Sequence, residues 1–529
     1  MPHVTRRDLF AGLATAALYS RFGGRKAFAA TADELAQAPV AELVRLLDSA
    51  AETARSLAEK CVERIERIDR AGPTLRSVIE LNPDLLAEAD RLDRERREGN
   101  RRGPLHGVPV LLKDNLDTGD RMLTTAGSLA LEAVPAAKDS GAAAALRRAG
   151  LLLLGKTNLS EWANFRSSDS TSGWSGRGGL TRNPYCLDRN ACGSSSGSAV
   201  AVAAGLAPLA LGTETSGSIL CPSSINGIVG LKPSVGVVPG DGVVPIASSF
   251  DCVGPMARSV EDAALLFQAL APAAGVDSAA LDRAALRGAR IGIARDFFGQ
   301  SAEVDALIEE ALGAMRAAGA ELIDVEGLPG SEQFGRAPFE VMLFEFRDGL
   351  DRYLATRPDL PVKTLEDVIA FNERNRDREL PYFGQDILER AAEKGPLDSA
   401  EYRQALETTR RLSRDEGIDR ALERDRLDAL LAPSNLPAWV TDLVRGDPSS
   451  GGSSAALPAR AGYPSLTVPA GYIHGLPIGV TLFSGHGREG RLLNLGYAFE
   501  QETRVRRPPE FLPTIGASAA VHTVSRPGA

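Results

Sequence analysis

The amino-acid sequence predicts an α/β protein in which helices pack on a largely buried β-sheet. Short, wholly apolar runs are typical of strands buried on both faces, and longer stretches with 3.6-residue periodicity are typical of amphipathic helices. Runs and stretches of these two kinds alternate along much of the 529-residue chain, and 43% of the residues are hydrophobic. A chain of this size can bury a large core. Since no internal repeat and no strong domain boundary is visible, we predict a single large domain.

The first half of the chain supplies the strands that matter most for function. Residues 33–102 are charged and rich in Ala and Leu with helical spacing, as over 51–69, and the five apolar residues before Lys113 predict a buried strand that ends at this lysine. The elements predicted after the helical stretch are strand 108–112, helix 141–149 stopped at Gly150, strand 151–154, helix 198–206 and strand 208–212.

The second half repeats the alternation and adds a helical segment. Residues 340–425 have charge and apolar spacing typical of helices, and 447–454 is a Pro/Gly/Ser-rich loop. The further elements predicted here are strand 290–294, helix 302–318 ending at Gly319, strand 321–325, and strands 428–432, 465–468 and 478–483.

Composition disfavours several classes of function. The net charge is −9, and an acidic body disfavours nucleic acid or an anionic membrane as partner. The chain has five histidines and five cysteines, and no spacing among them is typical of a metal site. Cys186 and Cys192 are near enough in sequence to bridge, although we interpret each of these two as a buried thiol. We predict no metal and no organic cofactor.

Residues 1–30 have the pattern of a targeting segment. Arg6-Arg7 precede an apolar stretch over 9–19, and Ala27-Phe28-Ala29 fits an A-x-A cleavage pattern. This arrangement resembles a twin-arginine export signal, and the apolar stretch is too short for a stable membrane anchor. We therefore predict a periplasmic or secreted protein, with a disordered basic N-terminus as the alternative.

Three short stretches carry the chemistry. Lys113 ends an apolar run, Ser194 lies in the run Gly-Ser-Ser-Ser-Gly-Ser over 193–198, and Ser218 ends Thr-Ser-Gly-Ser over 215–218. A lysine with two serines in Gly/Ser loops makes up the parts of a Ser-Ser-Lys hydrolase, a set that can cleave an amide without histidine or metal.

These stretches lie within a longer pattern that resembles the amidase signature family. Its Gly/Ser-rich signature is present as GSSSGSAVAVAAGLAPLALGTETSGSILCPSSINGIVGLKP over 193–233, and GPLHGVPVLLKDN, GKTNLSEWANFRSS, AGYPSLTVPAG and GLPIGV match further. The resemblance spans roughly 103–501. The segments KTNLSEWANFR, SGWSGRGG, INGIVGLKP and GPMARSVEDAA are most similar to bacterial peptide amidases, which hydrolyse the C-terminal amide of peptides.

The resemblance implies the fold and the organisation of the domain. It implies a mixed central sheet flanked by helices in one domain over 31–529. The signature core lies at about 103–260, and a helical insertion lies at about 340–425. It also implies an enzyme that needs no cofactor and no obligate protein partner, with a peptide amide or a small aliphatic or aryl amide as substrate.

The resemblance also implies roles for individual residues. Ser218 is the expected nucleophile, Ser194 the serine that relays its proton, and Lys113 the base. The oxyanion and substrate-binding stretch is Thr215, Ser216 and Gly217. A lysine is a base only when neutral, so its pKa must be lowered, and burial after five apolar residues is compatible with that.

Two positions depart from the family's commonest pattern, and two further residues are candidates for the substrate cleft. Ser216 replaces the first of two glycines before the nucleophile, and Leu220 replaces a common arginine. Both changes are expected to affect specificity more than chemistry. Asn158 and Glu161 are candidates for shaping the substrate cleft, whereas His106 is interpreted as a packed histidine.

Three different interpretations stay open on the sequence alone. Gly193-Ser194-Ser195-Ser196-Gly197 fits the G-x-S-x-G elbow of α/β-hydrolases, with Ser195 as nucleophile. That elbow requires a preceding strand, whereas 182–192 has the composition of a loop, and it requires a downstream histidine from His474, His486 or His522. The second interpretation is the amidase subunit of a tRNA-dependent amidotransferase, and the third is a catalytically inactive amide-binding protein.

Overall fold

An eleven-stranded sheet forms the centre of the molecule, in a computed structural model that describes residues 30–448 and 453–516. The predicted signal segment, His522 and the middle of the predicted 447–454 loop lie outside the described residues. The strands, numbered along the chain, are β1 Val78–Leu81, β2 Pro109–Lys113, β3 Leu152–Thr157, β4 Trp174–Ser175, β5 Gly179–Leu180, β6 Leu209–Glu214, β7 Val229–Lys232, β8 Cys252–Ala257, β9 Arg290–Ala294, β10 Glu321–Val325, β11 Ala429–Pro433, β12 Ser465–Ile473 and β13 Leu476–Phe483.

The large sheet is mixed, as the family resemblance implies. Its strand order is β1-β3-β2-β6-β8-β7-β12-β13-β11-β9-β10, while β4 and β5 form a separate two-stranded sheet. β2 is parallel to both β3 and β6, and β9 is parallel to β10 and β11. The remaining neighbours are antiparallel. The carboxyl ends of β2 and β6 therefore meet at one edge of the sheet.

Helices cover both faces of this sheet. They are α1 Ala32–Leu35, α2 Val40–Asp48, α3 Ala54–Arg64, α4 Leu85–Arg97, α5 Gly141–Arg148, α6 Ser196–Ala203, α7 Leu220–Ile225, α8 Val260–Leu270, α9 Ala302–Ala317, α10 Ser331–Phe334, α11 Ala337–Ala355, α12 Leu365–Arg374, α13 Arg376–Glu379, α14 Asp386–Ala392, α15 Ala400–Ser413, α16 Asp419–Asp425, α17 Ala456–Ala461 and α18 Glu489–Thr503. No single helix of the described ranges is long and apolar enough to cross a bilayer, although the bent pair Val260–Leu270 and Pro272–Ala280 passes by length and composition alone.

Alternation along β2 separates two cores. Val110 and Leu112 belong to the large core on one face, whereas Leu111 belongs to the core that contains α6 on the opposite face. Successive strand residues point to opposite faces, so Lys113 lies on the same face as Leu111 and α6. The strand thereby directs the lysine towards the loop that begins α6.

Most predicted elements are present, and two of the missed strands share a cause. Strands 290–294 and 321–325 coincide with the structure, and the strand predicted to end at Lys113 does have this lysine as its last residue. Strands β1, β7 and β8 of the large sheet and the short strands β4 and β5 were missed. β7 and β8 contain glycine or proline within the strand, and their pairing with distant strands overrides the weak local preference.

Candidate active site

Lys113 is completely buried at the carboxyl end of β2. Its Nζ donates to Ser194 Oγ at 2.7 Å, to Thr213 Oγ1 at 2.8 Å and to the Thr213 carbonyl at 3.2 Å. Every one of these acceptors is neutral. Lys113 therefore has hydrogen-bond partners, and no carboxylate of residues 30–448 or 453–516 is in direct contact with it.

Burial lowers the pKa of Lys113 to about 7, against the weaker opposing effect of Asp251 and Glu214. Removing an ammonium group from water disfavours its charged form, which explains the direction of the shift. A substantial fraction of Lys113 is accordingly neutral near pH 7. The requirement for a neutral lysine, which follows from the chemistry, is compatible with this environment.

The Ser194 loop is fixed between two neighbouring segments. The Gly193–Ser194 peptide bond is cis, and the Ser194 carbonyl accepts the Ser160 N–H at 3.1 Å. The next residue, Ser195, donates its N–H to the Ser218 carbonyl at 3.1 Å. The two Gly/Ser loops therefore lie side by side, and the structure brings together Lys113, Ser194 and the Ser218 loop.

The stretch before Ser218 presents unused backbone donors. Within the described part of the chain, the N–H groups of Ser216, Gly217 and Ser218 donate to no protein acceptor. Gly217 has a φ of +90°, a conformation that side-chain-bearing residues rarely adopt. A row of free N–H groups beside a serine is suited to binding an oxyanion.

The buried carboxylate of Glu214 and the half-buried carboxylate of Asp251 hold this stretch in place. Glu214 accepts the N–H groups of Ile219 and Leu220, at 2.8 and 2.9 Å, at the start of α7. Asp251 accepts the Thr215 hydroxyl at 2.6 Å, and burial raises the pKa of Asp251 to about 6. Sequence analysis missed both carboxylates as well as Thr213. Only the position of Thr213 and Glu214 inside the signature could have suggested them.

A disulfide joins the two serine loops and corrects the interpretation of the cysteines. Cys192 is bonded to Cys221, 29 residues further along the chain, while Cys186 is free and buried. The prediction of a buried thiol is therefore confirmed for Cys186 and wrong for Cys192, and a Cys186–Cys192 bridge does not form. The true pairing depends on the packing of the Gly193–Ser194 loop against the start of α7, which sequence distance does not reveal.

Two cavities open beside these loops. The larger cavity, of about 520 Å³, is lined by Gly193, Ser216, Gly217 and both cysteines of the disulfide, among other residues. The smaller cavity, of about 180 Å³, is lined by Thr215 and Ser216 and by Phe250, Pro338, Phe339 and Met342. A volume of several hundred Å³ is typical of small-molecule sites. Residues from the helical segment after residue 330 thus line part of the site.

Asn158 and Glu161 lie in buried polar networks and are not among the residues lining these two cavities. Asn158 donates to Thr181 Oγ1 at 3.0 Å and accepts the Ser175 hydroxyl at 2.7 Å. Glu161 pairs with buried Arg166. The predicted role of Asn158 and Glu161 in the cleft stays a prediction, while their contacts support the loops beneath it.

The structure contradicts the nucleophile-elbow interpretation. Residues 182–192 contain no strand, and the fully buried Ser195 hydroxyl donates to the Thr213 carbonyl at 3.0 Å while accepting the Thr213 N–H. Of the described histidines, His474 is on the surface near Glu303 and His486 packs on Tyr463. Neither contacts Ser195.

His106 is packed away from the site, as predicted. Its side chain is buried, with Nε2 at 2.9 Å from the Leu92 carbonyl and Nδ1 accepting the Arg102 N–H.

Known proteins resemble this chain over nearly its whole length. The family model described as Amidase matches residues 58–493. The structure of peptide amidase from Stenotrophomonas maltophilia is 47% identical with a TM-score of 0.84, covering 90% of this chain and 99% of that one. A probable amidase of Arabidopsis thaliana is 37% identical, covering 85% and 87% of the two chains. A subunit of the glutamyl-tRNA(Gln) amidotransferase of Halorhodospira halophila is also 37% identical, covering 88% and 97%.

These matches agree with the geometry of the site and with the mixed sheet. The family match covers both serine loops, Lys113 and most of the central sheet. The chain belongs to the amidase signature family and is a hydrolase that acts on carbon–nitrogen bonds of amides.

Proposed function

We propose that this enzyme hydrolyses the C-terminal amide of peptides through an acyl-enzyme on Ser218. The observation that carries the chemistry is the 2.7 Å contact between buried Lys113 and Ser194, beside a loop whose N–H groups are free. The similarity to peptide amidase, at 47% identity over 90% of the chain, supports the choice of substrate.

The first half of the reaction forms the acyl-enzyme. Neutral Lys113 takes the proton of Ser194, and Ser194 takes the proton of Ser218 as its Oγ bonds to the carbonyl carbon. The N–H groups of Ser216 to Ser218 donate to the developing oxyanion. The proton then returns through Ser194 to the leaving nitrogen, the C–N bond breaks, and ammonia departs.

The second half restores the enzyme. Water gives a proton to the same Ser194–Lys113 relay and adds to the acyl carbon, and the bond to Ser218 breaks as this serine regains its proton. The products are the peptide acid and ammonia, so atoms and charges balance without a further reactant.

Ammonia release from a substrate panel tests the proposed substrate. We expect wild type to release ammonia from N-acetyl dipeptide amides faster, in kcat/KM, than from propionamide, benzamide or glutamine. Mass spectrometry should show conversion of only the terminal amide to the acid. Faster release from the simple amides would reject the peptide assignment and leave the amide chemistry intact.

The amidotransferase is a second candidate because its matching subunit is 37% identical over most of both chains. A protein of this kind would use glutamine and deliver ammonia to a partner. In the same panel, glutamine as the best substrate would favour this candidate over the peptide amidase.

We also propose export by the twin-arginine route. The Arg6-Arg7 pattern and the Cys192–Cys221 disulfide support it, since disulfides persist in oxidising compartments. In a bacterial host, we expect an Arg6→Lys/Arg7→Lys variant to stay in the cytoplasm unprocessed, while wild type and an Arg21→Lys control reach the periplasm. Equal export of the double variant would reject this route.

A further inference from the structure

Arg460 is a charged residue at the junction of the two cavities. Both the larger and the smaller cavity include Arg460 and Ser216 in their linings. Ser216 belongs to the stretch with free N–H groups. The arginine on α17 therefore faces the same space as the candidate oxyanion site, although it lies far away in sequence.

The guanidinium of Arg460 packs against an aromatic ring and forms no ion pair with a carboxylate of the described residues. Its central carbon lies 4.4 Å from the ring centroid of Phe334. Among residues 30–448 and 453–516, no carboxylate lies within ion-pair distance of Arg460, and it donates no hydrogen bond. An arginine stacked on a ring keeps its N–H edge free for a ligand.

Two arginines that are more deeply buried than the half-buried Arg460 are paired. Arg166 contacts Glu161, and Arg357 contacts Asp117 at 3.2 Å. Burial lowers the pKa of Arg460, with no nearby acid opposing the effect. A partly desolvated cation without a partner is costly, and an anion bound in the cleft would offset that cost.

Among the described residues, the rest of the cavity lining does not supply this anion. The smaller cavity presents mainly apolar side chains, including Phe250, Phe339 and Met342. In the larger cavity, both carboxylate oxygens of Asp447 already accept hydrogen bonds. One accepts the Trp439 indole N–H at 3.1 Å and the other accepts the Ser172 N–H at 3.0 Å. The positive charge of Arg460 is therefore available to a substrate.

We propose that Arg460 is a specificity residue that binds a carboxylate on the acyl part of the substrate. The favoured substrates are peptide amides with Asp or Glu at the residue that carries the amide or at the residue before it. Arg460 would bind this carboxylate through two parallel N–H donors and take no part in bond cleavage. This inference rests on the proposed peptide amidase function.

Matched peptide amides test the proposal. N-acetyl dipeptide amides would carry Glu, Gln or Lys at each of the two positions, and kcat/KM would be measured for every member. For wild type we expect Glu to exceed Gln by about tenfold or more at one position, the size expected of a charge-assisted hydrogen bond. The difference should lie mainly in KM and shrink with added salt.

Three variants locate the preference. In Arg460→Gln the Glu-to-Gln ratio should fall to near one, whatever the absolute rate. Arg460→Lys, which keeps the charge but not the two-pronged geometry, should retain an intermediate ratio. Arg507→Gln is the matched control, because Arg507 also stacks on an aromatic ring, that of Tyr472 at 4.5 Å, and is not among the residues lining either cavity. Its ratio should equal that of wild type.

The outcomes separate this inference from the proposed function. A wild-type ratio near one, or a high ratio that survives Arg460→Gln, would overturn the role of Arg460 while Gln peptides still report amidase activity. If no peptide amide is cleaved, the proposed function fails by itself. Calorimetry with N-acetylglutamate then tests whether Arg460 binds a carboxylate. Tighter binding to wild type than to Arg460→Gln supports the anion site, and equal binding rejects it.

Discussion

Ser218→Ala is expected to abolish turnover of every amide while the protein stays folded. Without Oγ no acyl-enzyme can form, and loss of a serine nucleophile typically lowers kcat by about 10⁴-fold or more. Substrate binding should persist because the N–H groups of the loop are unchanged. The measurement is ammonia release, with circular dichroism and thermal unfolding to verify the fold.

Ser195→Ala is the matched control for this prediction. Ser195 lies in the Gly/Ser loop that carries Ser194, and its buried hydroxyl contacts the backbone of Thr213. We expect a loss of stability of about 1–3 kcal/mol from the unpaired backbone groups, with turnover retained by the folded fraction. Full activity in Ser218→Ala, or inactivity only in a folded Ser195→Ala, would mean that the nucleophile is wrongly assigned.

Lys113→Met is expected to lower kcat/KM by about 10²–10⁴-fold, the usual contribution of a general base. The methionine fills similar volume in the buried site, so packing should survive better than with alanine. Lys113→Arg should be equally impaired, because a guanidinium stays protonated and cannot accept the serine proton.

The pH profile gives a second readout for Lys113. With a pKa of about 7, the neutral fraction increases as pH rises, so kcat/KM should increase through pH 7 and reach a plateau above it. In Lys113→Met this rise should disappear from the residual activity. A wild-type rate independent of pH across this range would contradict the base assignment.

Lys156→Met is the matched control for the Lys113→Met variant. Lys156 is also fully buried on the neighbouring strand β3, but its Nζ donates to the Leu116 and Leu123 carbonyls and to Thr124, and to no serine of the described residues. We expect lower stability and an unchanged pH profile. If the rise of kcat/KM with pH also disappears in Lys156→Met, the pH profile reports folding and not the titration of Lys113.

The parts of the fold that local pattern determines were predictable. Wholly apolar runs such as 108–112 and 151–154 fold as buried strands because little else can satisfy their backbone while burying every side chain. Strand β8 was not predictable in this way, since it contains Gly254 and Pro255 and owes its position to pairing with β6 and β7. Which strands are neighbours in a mixed sheet is a long-range property.

The candidate active site likewise combines features that local sequence patterns predict with features that depend on long-range packing. The sequence identified Lys113, Ser194 and Ser218 because the Gly/Ser pattern around them is specific, and a family resemblance added their proposed roles. It could not reveal that Thr213 accepts hydrogen bonds from Lys113 or that Asp251 accepts one from Thr215, because these contacts join segments far apart in the chain. It also missed the Cys192–Cys221 disulfide, whose formation requires two loops to pack together.

By itself, then, the sequence determined the α/β class, the buried strand that ends at Lys113, the two Gly/Ser loops and the family. These features depend on hydrophobic periodicity and on short motifs, which are local. Tertiary structure alone decided the lowered pKa of Lys113, the free N–H groups facing a cavity and the position of Arg460 in the lining of the same cavity as Ser216. Those properties depend on burial and on distances between segments far apart in the chain, which only the folded molecule establishes.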